Sequence, residues 1–247
     1  MLKSFFIAFS MYSKIPVPMV KWEEKNMRYV LVFFPFIGVV IAALQLCWWK
    51  IAGLFHCGPG IMAAVLSVIP VLVSGGIHLD GFLDTMDALC SYQSKEEKLR
   101  IMKDPHAGAF AIISAAVWAI LQFGGMSEIH STTQVLLLGL SFVLSRTFSG
   151  LSLKVLPGAK KEGLAKTFSD TAAGKSVRNI LLMYLVILFF LMVLVSGIRG
   201  AVLWGMALLV WLVYRHIALK EFGGITGDLA GWYLTMAELF MLYVIVW

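Results

Sequence analysis

Three aspartates are spaced so that a single helix would carry all of them on one face. Asp80, Asp84 and Asp87 lie in the segment GGIHLDGFLDTMDA, with three and then two residues between them. At about 100° per residue, Asp84 lies about 40° to one side of Asp80 and Asp87 about 20° to the other. Carboxylates at this spacing repel one another, and an apolar environment adds a desolvation cost. The pattern therefore predicts that something positive binds there.

A divalent cation best matches this set of oxygen donors. Mg2+ prefers carboxylate oxygens, keeps several waters and is commonly shared with the phosphates of a substrate. We predict that Asp80, Asp84 and Asp87 bind Mg2+ beside a substrate phosphate, and that Asp84 and Asp87 are catalytic. The competing interpretation, a solvated acidic helix end, fits one aspartate better than three in register. His78 lies about 160° from Asp80 on the same helix wheel, so capping or packing competes with a role in the site.

Other charged and glycine-rich positions are candidates for binding an anionic substrate. Arg146 interrupts an apolar run, where a guanidinium costs roughly 2.5 to 3.5 kcal/mol, so it should face a carboxylate or a phosphate. Glu238 also lies in an apolar run and is either functional or paired across helices. The GGITGD segment offers close backbone approach and N–H donors at a helix start. The predicted substrate-binding residues are His78, Arg100, Lys103, Asp104, Arg146, Lys154, Gly224, Thr226, Gly227, Asp228 and Glu238.

Several of these candidates also have a structural explanation. Asp104-Pro105 is typical of an N-cap followed by a first-turn proline, and Asp228 could cap the helix that follows it. A lysine near the membrane can bind anionic lipid headgroups, worth about 1 kcal/mol each. Together, however, the lysines after Arg146 would form a cytoplasmic funnel for an anionic substrate. These lysines are Lys154, Lys160, Lys161, Lys166 and Lys175.

The composition indicates that a membrane protein positions these residues. The chain has 247 residues, of which 60% are hydrophobic and 14% charged, and its mean hydropathy is +0.87. One soluble core of this size could not enclose so many apolar side chains, and a disordered chain needs the opposite composition. We therefore predict an all-α polytopic membrane helix bundle that forms one integral-membrane catalytic domain over residues 1–247.

Seven apolar runs are long enough to be spanning helices, because lipid offers no water to pair with backbone groups. They cover residues 29–49, 61–77, 107–125, 134–144, 180–196, 201–213 and 229–247, and the fourth can extend to residue 153 around Arg146. The N-terminal segment is interrupted by Lys14, Pro16 and Pro18. Twelve residues of helix rise only about 18 Å. We expect this segment to be interfacial or re-entrant.

Basic residues predict the orientation of the bundle. With seven spans, eighteen of the twenty Lys and Arg residues fall on one side, and only Lys50 and Arg199 fall on the other. Cytoplasmic loops concentrate these residues, so the N-terminus and the acidic segment should face the cytoplasm. The same distribution accounts for the net charge of +6 without nucleic acid. Membrane lipid is the expected surrounding partner, and a homo-oligomer is left open.

Four segments together resemble the cobalamin synthase family, the adenosylcobinamide-GDP ribazoletransferases. They are SKIPVP, GGIHLDGFLDTMDA, KLRIMKDPHAGAFA and GGITGDLAGWYLTMAE, in the family's order over essentially the whole chain. The resemblance implies a multi-pass enzyme of the cell (inner) membrane. Such an enzyme joins adenosylcobinamide-GDP to alpha-ribazole or its 5'-phosphate, releases GMP and requires Mg2+, late in adenosylcobalamin biosynthesis. Ala88 and Ala230 stand where the family commonly has glycine.

Two other functions compete with this one. A membrane phosphatidyl-alcohol or prenyl transferase also places aspartates and Mg2+ beside a diphosphate, but with different aspartate spacing. An ion-coupled transporter would line a pathway at the midplane of the membrane, whereas these acids cluster at one end of a span. For the transferase we expect in-line attack by a ribazole hydroxyl on the corrinoid-side phosphorus. No covalent enzyme intermediate forms, and Asp87 is the expected proton acceptor.

Overall fold

The structure, a computed structural model, describes residues 1–159 and 174–247, and helices joined by loops make up these ranges. Within those ranges no strand forms, and one isolated backbone bridge joins Gly158 to Ile225. The predicted all-α class is confirmed, while Lys160, Lys161 and Lys166 lie outside the described residues. The helices are α1 (Leu2–Tyr12), α2 (Glu24–Met27), α3 (Val30–Leu54), α4 (Pro59–Ser74), α5 (Ile77–Cys90), α6 (Lys95–Ile101), α7 (Ala109–Ser127), α8 (Thr132–Val155), α9 (Gly174–Ser196), α10 (Ile198–Glu221) and α11 (Gly227–Val246).

Six of these helices are long and apolar enough to cross a membrane, namely α3, α7, α8, α9, α10 and α11. The pair α4 and α5 makes a seventh candidate, bent by 92° at the junction. The predicted multi-pass bundle of about seven spans is therefore confirmed. The fourth predicted run does extend past Arg146, because α8 continues to Val155.

The bend between α4 and α5 separates the acidic segment from the second span. Gly75 and Gly76 have φ angles of 66° and 80°. Two consecutive residues in this left-handed region end a helix, and glycine adopts it without steric cost. The N-terminal segment lies over this turn, since the Lys14 side chain covers Gly75 and the Lys14 N–H donates to the Val73 carbonyl at 2.8 Å. The acidic segment therefore forms a helix of its own rather than the end of a straight span.

Helices α8 and α11 form the centre of the bundle. In the most apolar 18-residue stretch of each, 83% of α8 and 61% of α11 are buried, against 22% for α7 and α9. Helices α3 and α8 approach closely because small residues line their contact. A Cβ on Gly38 would lie 2.6 Å from the Phe142 carbonyl oxygen, and one on Gly139 would lie 2.7 Å from Ala42 Cβ. Small residues provide such close backbone contacts where no hydrophobic effect drives helices together.

The first helix is short and lies against α3. Ile7 and Ala8 of α1 are buried in one cluster with Val30 at the start of α3. The Phe5 and Phe33 rings meet edge to face with centroids 5.7 Å apart. At 11 residues, α1 is shorter than a span, as the sequence predicted. This contact brings the N-terminal segment to the end of the bundle that carries the acidic helix.

Candidate active site

The acidic helix α5 packs directly against the first turns of α11. A Cβ on Gly81 would lie 2.7 Å from the Asp228 carbonyl oxygen, and one on Gly231 would lie 2.8 Å from the His78 carbonyl oxygen. The two backbones touch at both glycines, so neither position has room for a side chain. Two segments about 150 residues apart in sequence thereby form one surface.

This surface concentrates negative charge. The charges of Asp80, Asp87 and Asp228 all act on the carboxylate of Asp84. Asp80 is exposed, while Asp84 and Asp87 are half-buried. Among the described residues, no Lys, Arg or His forms an ion pair with Asp80, Asp84 or Asp87. The aspartates share one helix, as their spacing predicted, and their mutual repulsion is not offset by an ion pair within the described chain.

The donor chemistry of this surface fits Mg2+ shared with a substrate rather than a closed metal cage. Across the described ranges, no three His, Cys, Asp or Glu side chains converge as a metal site would require. Asp87 accounts for part of this divergence, because its carboxylate lies against Gly108, where a Cβ would collide with both oxygens. Mg2+ needs only one or two protein carboxylates when phosphates and waters supply its other ligands. Binding of one ion by all three aspartates stays a prediction.

Two cavities open at opposite ends of this acidic surface. The first, which we call the apolar cavity, has a volume of about 200 Å3, and the second, the polar cavity, about 340 Å3. Asp80, Asp228, His78 and Gly227 line the apolar cavity together with Met11, Tyr12, Phe34, Ile77, Ser149, Leu153, Ala230, Gly231 and Leu234. The polar cavity is lined by Asp87, Ser91, Arg100, Ile101, Asp104, His106, Ala107, Gly108 and Phe110.

The polar cavity contains two of the predicted substrate-binding residues, Arg100 and Asp104. Arg100 is 74% exposed and pairs with Glu97. The Asp104 carboxylate accepts a hydrogen bond from the His106 N–H at 2.9 Å and lies 2.8 Å from His106 Nδ1. These contacts hold the pKa of Asp104 below its ordinary value. Lys103 lies on the surface beside them and does not line this cavity.

The interpretation of Asp104 as a helix cap is wrong. Helix α7 begins at Ala109, and its N-cap is Gly108. The Asp104 carboxylate is already engaged by the local turn at His106, so the chain turns once more before the helix starts. Asp104-Pro105 therefore belongs to a loop that faces the polar cavity.

A threonine, not Asp228, caps α11. The Thr226 hydroxyl accepts a hydrogen bond from the Leu229 N–H at 3.1 Å. Asp228 lies in the first turn, with its negative charge near the positive end of the helix dipole. The capping interpretation of Asp228 is therefore wrong, and its carboxylate lines the apolar cavity instead.

The glycine-rich loop before α11 is tied to the segment that follows α8. The Ile225 N–H donates to the Pro157 carbonyl, and the Ala159 N–H donates to the Ile225 carbonyl, each at 2.9 Å. A Cβ on Gly224 would lie 2.6 Å from this segment's backbone. The close approach that Gly224 provides is thus to the chain itself, and a phosphate contact there stays a prediction. Lys154, half-buried in the last turn of α8, lies just before this segment.

Arg146 and Glu238 pair with each other deep in the bundle. Arg146 Nη1 donates to Glu238 Oε1 at 2.7 Å, and their side chains are 1% and 16% exposed. The Ser145 hydroxyl donates to the same oxygen at 2.8 Å. Arg146 therefore faces a carboxylate and Glu238 is paired across helices, which is one of the two alternatives that the sequence left open for each, and substrate binding by either residue stays a prediction. A cavity of about 30 Å3 beside the pair has room for about one water, and His78 reaches it from α5.

Comparison with known proteins identifies the relatives of this chain. The sequence model of the cobalamin-5-phosphate synthase family matches residues 4–246. The chain belongs to this family. Three relatives are named adenosylcobinamide-GDP ribazoletransferase. One from Lachnoclostridium phytofermentans is 48% identical over 96% of this chain and 91% of its own length. The relative from Clostridium perfringens is 31% identical over 96% of this chain and 94% of its own length. The relative from Brevibacillus brevis is 30% identical over 99% of this chain and 98% of its own length. No solved structure matches the chain.

Sequence reasoning missed the contribution of the N-terminal segment of this family member. Met11 and Tyr12 of α1 line the apolar cavity beside Asp80, and Lys14 covers the turn before α5. The SKIPVP segment could have indicated this contribution. Its two prolines do not continue a helix, and the segment instead covers the turn before α5. Gly81, Gly108 and Gly231 were missed as well, because only the packing of other helices shows why they lack side chains.

Proposed function

We propose that this chain is an adenosylcobinamide-GDP ribazoletransferase, which joins adenosylcobinamide-GDP to alpha-ribazole or its 5'-phosphate with release of GMP. The relatives that carry this name match nearly its whole length. The structural observation that supports the proposal is the α5 surface, where three aspartates that form no ion pair with any described residue lie beside Asp228. Such a surface suits a substrate diphosphate that arrives with a divalent cation.

The proposed reaction is a single in-line displacement. When bound, Mg2+ would neutralise the diphosphate and stabilise the charge of the transition state. Asp80, Asp84 and Asp87 would hold it together with substrate phosphates. A ribazole hydroxyl oxygen forms a bond to the corrinoid-side phosphorus, and the bond from that phosphorus to the GMP phosphate breaks. Asp84 or Asp87 accepts the hydroxyl proton, so no enzyme nucleophile is needed.

Cationic residues around the acidic surface would guide the phosphates. Arg100 lines the polar cavity, and Lys103 and Lys154 lie at the same end of the bundle. A positive approach route raises the rate at which an anionic substrate finds the site. Arg146 is a weaker candidate for this role than its sequence context implied, because Glu238 already satisfies one of its nitrogens.

The function is tested with purified protein in lipid nanodiscs, supplied with the corrinoid nucleotide and alpha-ribazole. We expect GMP and the joined corrinoid to form in equal amounts, and EDTA to stop both. A phosphatidyl-alcohol or prenyl transferase would leave the corrinoid nucleotide intact and consume a lipid substrate instead. A transporter would form neither product.

We further propose that the acidic surface faces the cytoplasm and that the protein resides in the cell (inner) membrane. The uneven distribution of Lys and Arg supports this orientation. Two native cysteines test it, since Cys57 precedes α4 and Cys90 ends α5. In variants retaining only one of them, an impermeant maleimide applied to intact cells should label Cys57 and leave Cys90 unlabelled. The opposite pattern would invert the orientation.

A further inference from the structure

The apolar cavity is enclosed by aromatic and aliphatic side chains from separate parts of the chain. Tyr12 and Phe34 lie ring to ring with centroids 4.4 Å apart, and Phe34 meets the His78 ring at 5.9 Å. Leu153 of α8 and Leu234 of α11 complete the apolar wall. Five helices, α1, α3, α5, α8 and α11, therefore contribute to one enclosure.

The lining of this cavity also includes polar residues. Asp80 and Asp228 bear carboxylates, His78 bears an imidazole and Ser149 of α8 bears a hydroxyl. Carboxylate oxygens accept hydrogen bonds and do not donate them when ionised, so these carboxylates suit the hydroxyl groups of a sugar. The rest of the wall offers flat rings and methyl groups. The lining thus combines carboxylates that can accept hydrogen bonds from hydroxyl groups with apolar rings and methyl groups.

The volume of the cavity limits what it can hold. About 200 Å3 far exceeds the roughly 30 Å3 that one water takes up in the liquid. It also falls below the roughly 300–1,000 Å3 of pockets that enclose a drug-sized ligand. A cavity of about 200 Å3 can hold one bicyclic ring system but not a whole corrinoid.

We propose that the apolar cavity binds the base of the nucleoside acceptor, with the acceptor's ribose at the Asp80 and Asp228 carboxylates; this inference rests on the proposed function. Ribazole carries a dimethyl-substituted benzimidazole, whose flat ring and two methyl groups match an apolar wall. Guanine, the other base in the reaction, presents polar atoms around its edge, and with the two carboxylates occupied by a ribose the apolar part of the wall would leave those atoms without partners. The guanine end of the donor is therefore assigned to the polar cavity at Asp87.

This assignment has a consequence for the proton acceptor. The rise along a helix is about 1.5 Å per residue, so Asp84 lies about 6 Å and Asp87 about 10.5 Å along the axis from Asp80. An acceptor ribose at Asp80 brings its hydroxyl closer to Asp84 than to Asp87. The carboxylate of Asp87 is in addition turned towards Gly108. Asp84 is therefore the better placed of the two to accept the hydroxyl proton.

The first experiment measures binding without turnover. Dimethylbenzimidazole alone is added to the purified full-length protein in nanodiscs, and binding is followed by equilibrium dialysis. We expect Ala230→Leu, which extends a side chain into the cavity, to weaken binding about ten-fold or more. The same substitution should lower the affinity for unsubstituted benzimidazole by a smaller factor, because that base lacks the methyl groups that the new leucine displaces. Ala116→Leu, on a lipid-exposed face of α7, is the matched control and should bind normally.

A second variant protects the test against a folding defect. Ile77 lines the cavity but is 46% exposed, so Ile77→Ala removes apolar contact without opening the core. We expect a several-fold rise in the KM for ribazole and an unchanged KM for the corrinoid nucleotide. A rise in the KM for the corrinoid nucleotide alone would show that the cavity binds the donor. Equal binding of the base by wild type and both cavity variants would overturn the proposal and leave a lipid chain as the occupant.

The two proposals fail in different ways. If wild-type protein releases GMP but neither KM nor base binding responds to Ala230→Leu, the acceptor binds elsewhere while the proposed function stands. If the base binds as described but no corrinoid product forms, the proposed function fails while the cavity remains a site for a flat apolar base.

Discussion

The acidic surface of α5 and the Arg146–Glu238 pair show two ways in which this bundle carries charge. Glu238 is deep in the bundle, and its carboxylate receives donors from both Arg146 and Ser145. Asp80, Asp84 and Asp87 lie closer to the surface, where none of them has an ion pair among the described residues. The fold compensates the charge of Glu238, whereas no ion pair among residues 1–159 and 174–247 compensates the three aspartates.

This difference separates stability from function. Removing one member of a buried pair leaves the other charge without a partner, which is costly to the fold. Removing one of several neighbouring like charges relieves repulsion, so the fold loses little and a ligand loses a contact.

Arg146→Ala should produce the largest loss of stability. It leaves the Glu238 carboxylate buried and unpaired, which costs about 3–5 kcal/mol when one partner of such a pair is removed. Thermal unfolding in nanodiscs measures the loss. The double variant Arg146→Met with Glu238→Leu should recover most of it and retain affinity for the corrinoid nucleotide. A stable double variant that no longer binds the nucleotide would instead make Arg146 a phosphate ligand.

Asp84→Asn should lower turnover about 100-fold, equivalent to about 2.7 kcal/mol in the barrier, without lowering the unfolding temperature. The amide keeps the shape of the side chain but removes the charge that the cation and the acceptor need. GMP release and thermal unfolding are measured on the same preparation. Normal activity with normal Mg2+ dependence in this variant would show that Asp84 binds no metal.

Gly231→Ala should separate α5 from α11 and cost about 1–3 kcal/mol, because the new methyl would lie 2.8 Å from the His78 carbonyl oxygen. Activity should fall as well, since Asp228 moves away from the α5 aspartates. Gly205→Ala in α10 is the matched control, because a Cβ there meets nothing within 4 Å. That change should stabilise the helix by about 0.5–1 kcal/mol. Equal effects of the two substitutions would contradict the close packing of α5 on α11.

Lys98→Met should have the smallest effect. Lys98 pairs with Glu221 and so joins α6 to the end of α10, with side chains 7% and 30% exposed. We expect a loss of about 1 kcal/mol and unchanged turnover, because Glu221 is partly exposed to water and neither residue of the pair lines either cavity. Lys95→Met, on the exposed side of the same helix, should change neither quantity. A large fall in turnover for Lys98→Met alone would add Lys98 to the residues of α6 that belong to the site.

Local sequence rules predicted the parts of the site that one helix determines. The common face of Asp80, Asp84 and Asp87 follows from the helical repeat alone. The membrane spans follow from hydropathy, and the need of Arg146 for a partner follows from the cost of a charge among apolar residues. Each of these inferences requires knowledge of only one segment of the chain.

Contacts between segments could not be predicted in the same way. Two such contacts depend on which helices become neighbours. They are the ion pair of Arg146 with Glu238 and the packing of Gly81 on Asp228. The start of α7 was misplaced because Asp104 bonds within its own turn rather than to a helix. The apolar cavity was missed because five helices build it and no single segment shows it.

Metal binding to the donor complex tests the central claim most directly. Mn2+ replaces Mg2+, the corrinoid nucleotide is present and ribazole is omitted, so that no turnover occurs. Electron paramagnetic resonance then measures free Mn2+ for wild type, Asp84→Asn and the Arg146→Met/Glu238→Leu double variant. If the α5 aspartates bind the cation, Mn2+ should bind saturably to wild type and to the double variant, and Asp84→Asn should lose this binding. Undiminished binding in Asp84→Asn would show that the α5 aspartates are not the metal ligands.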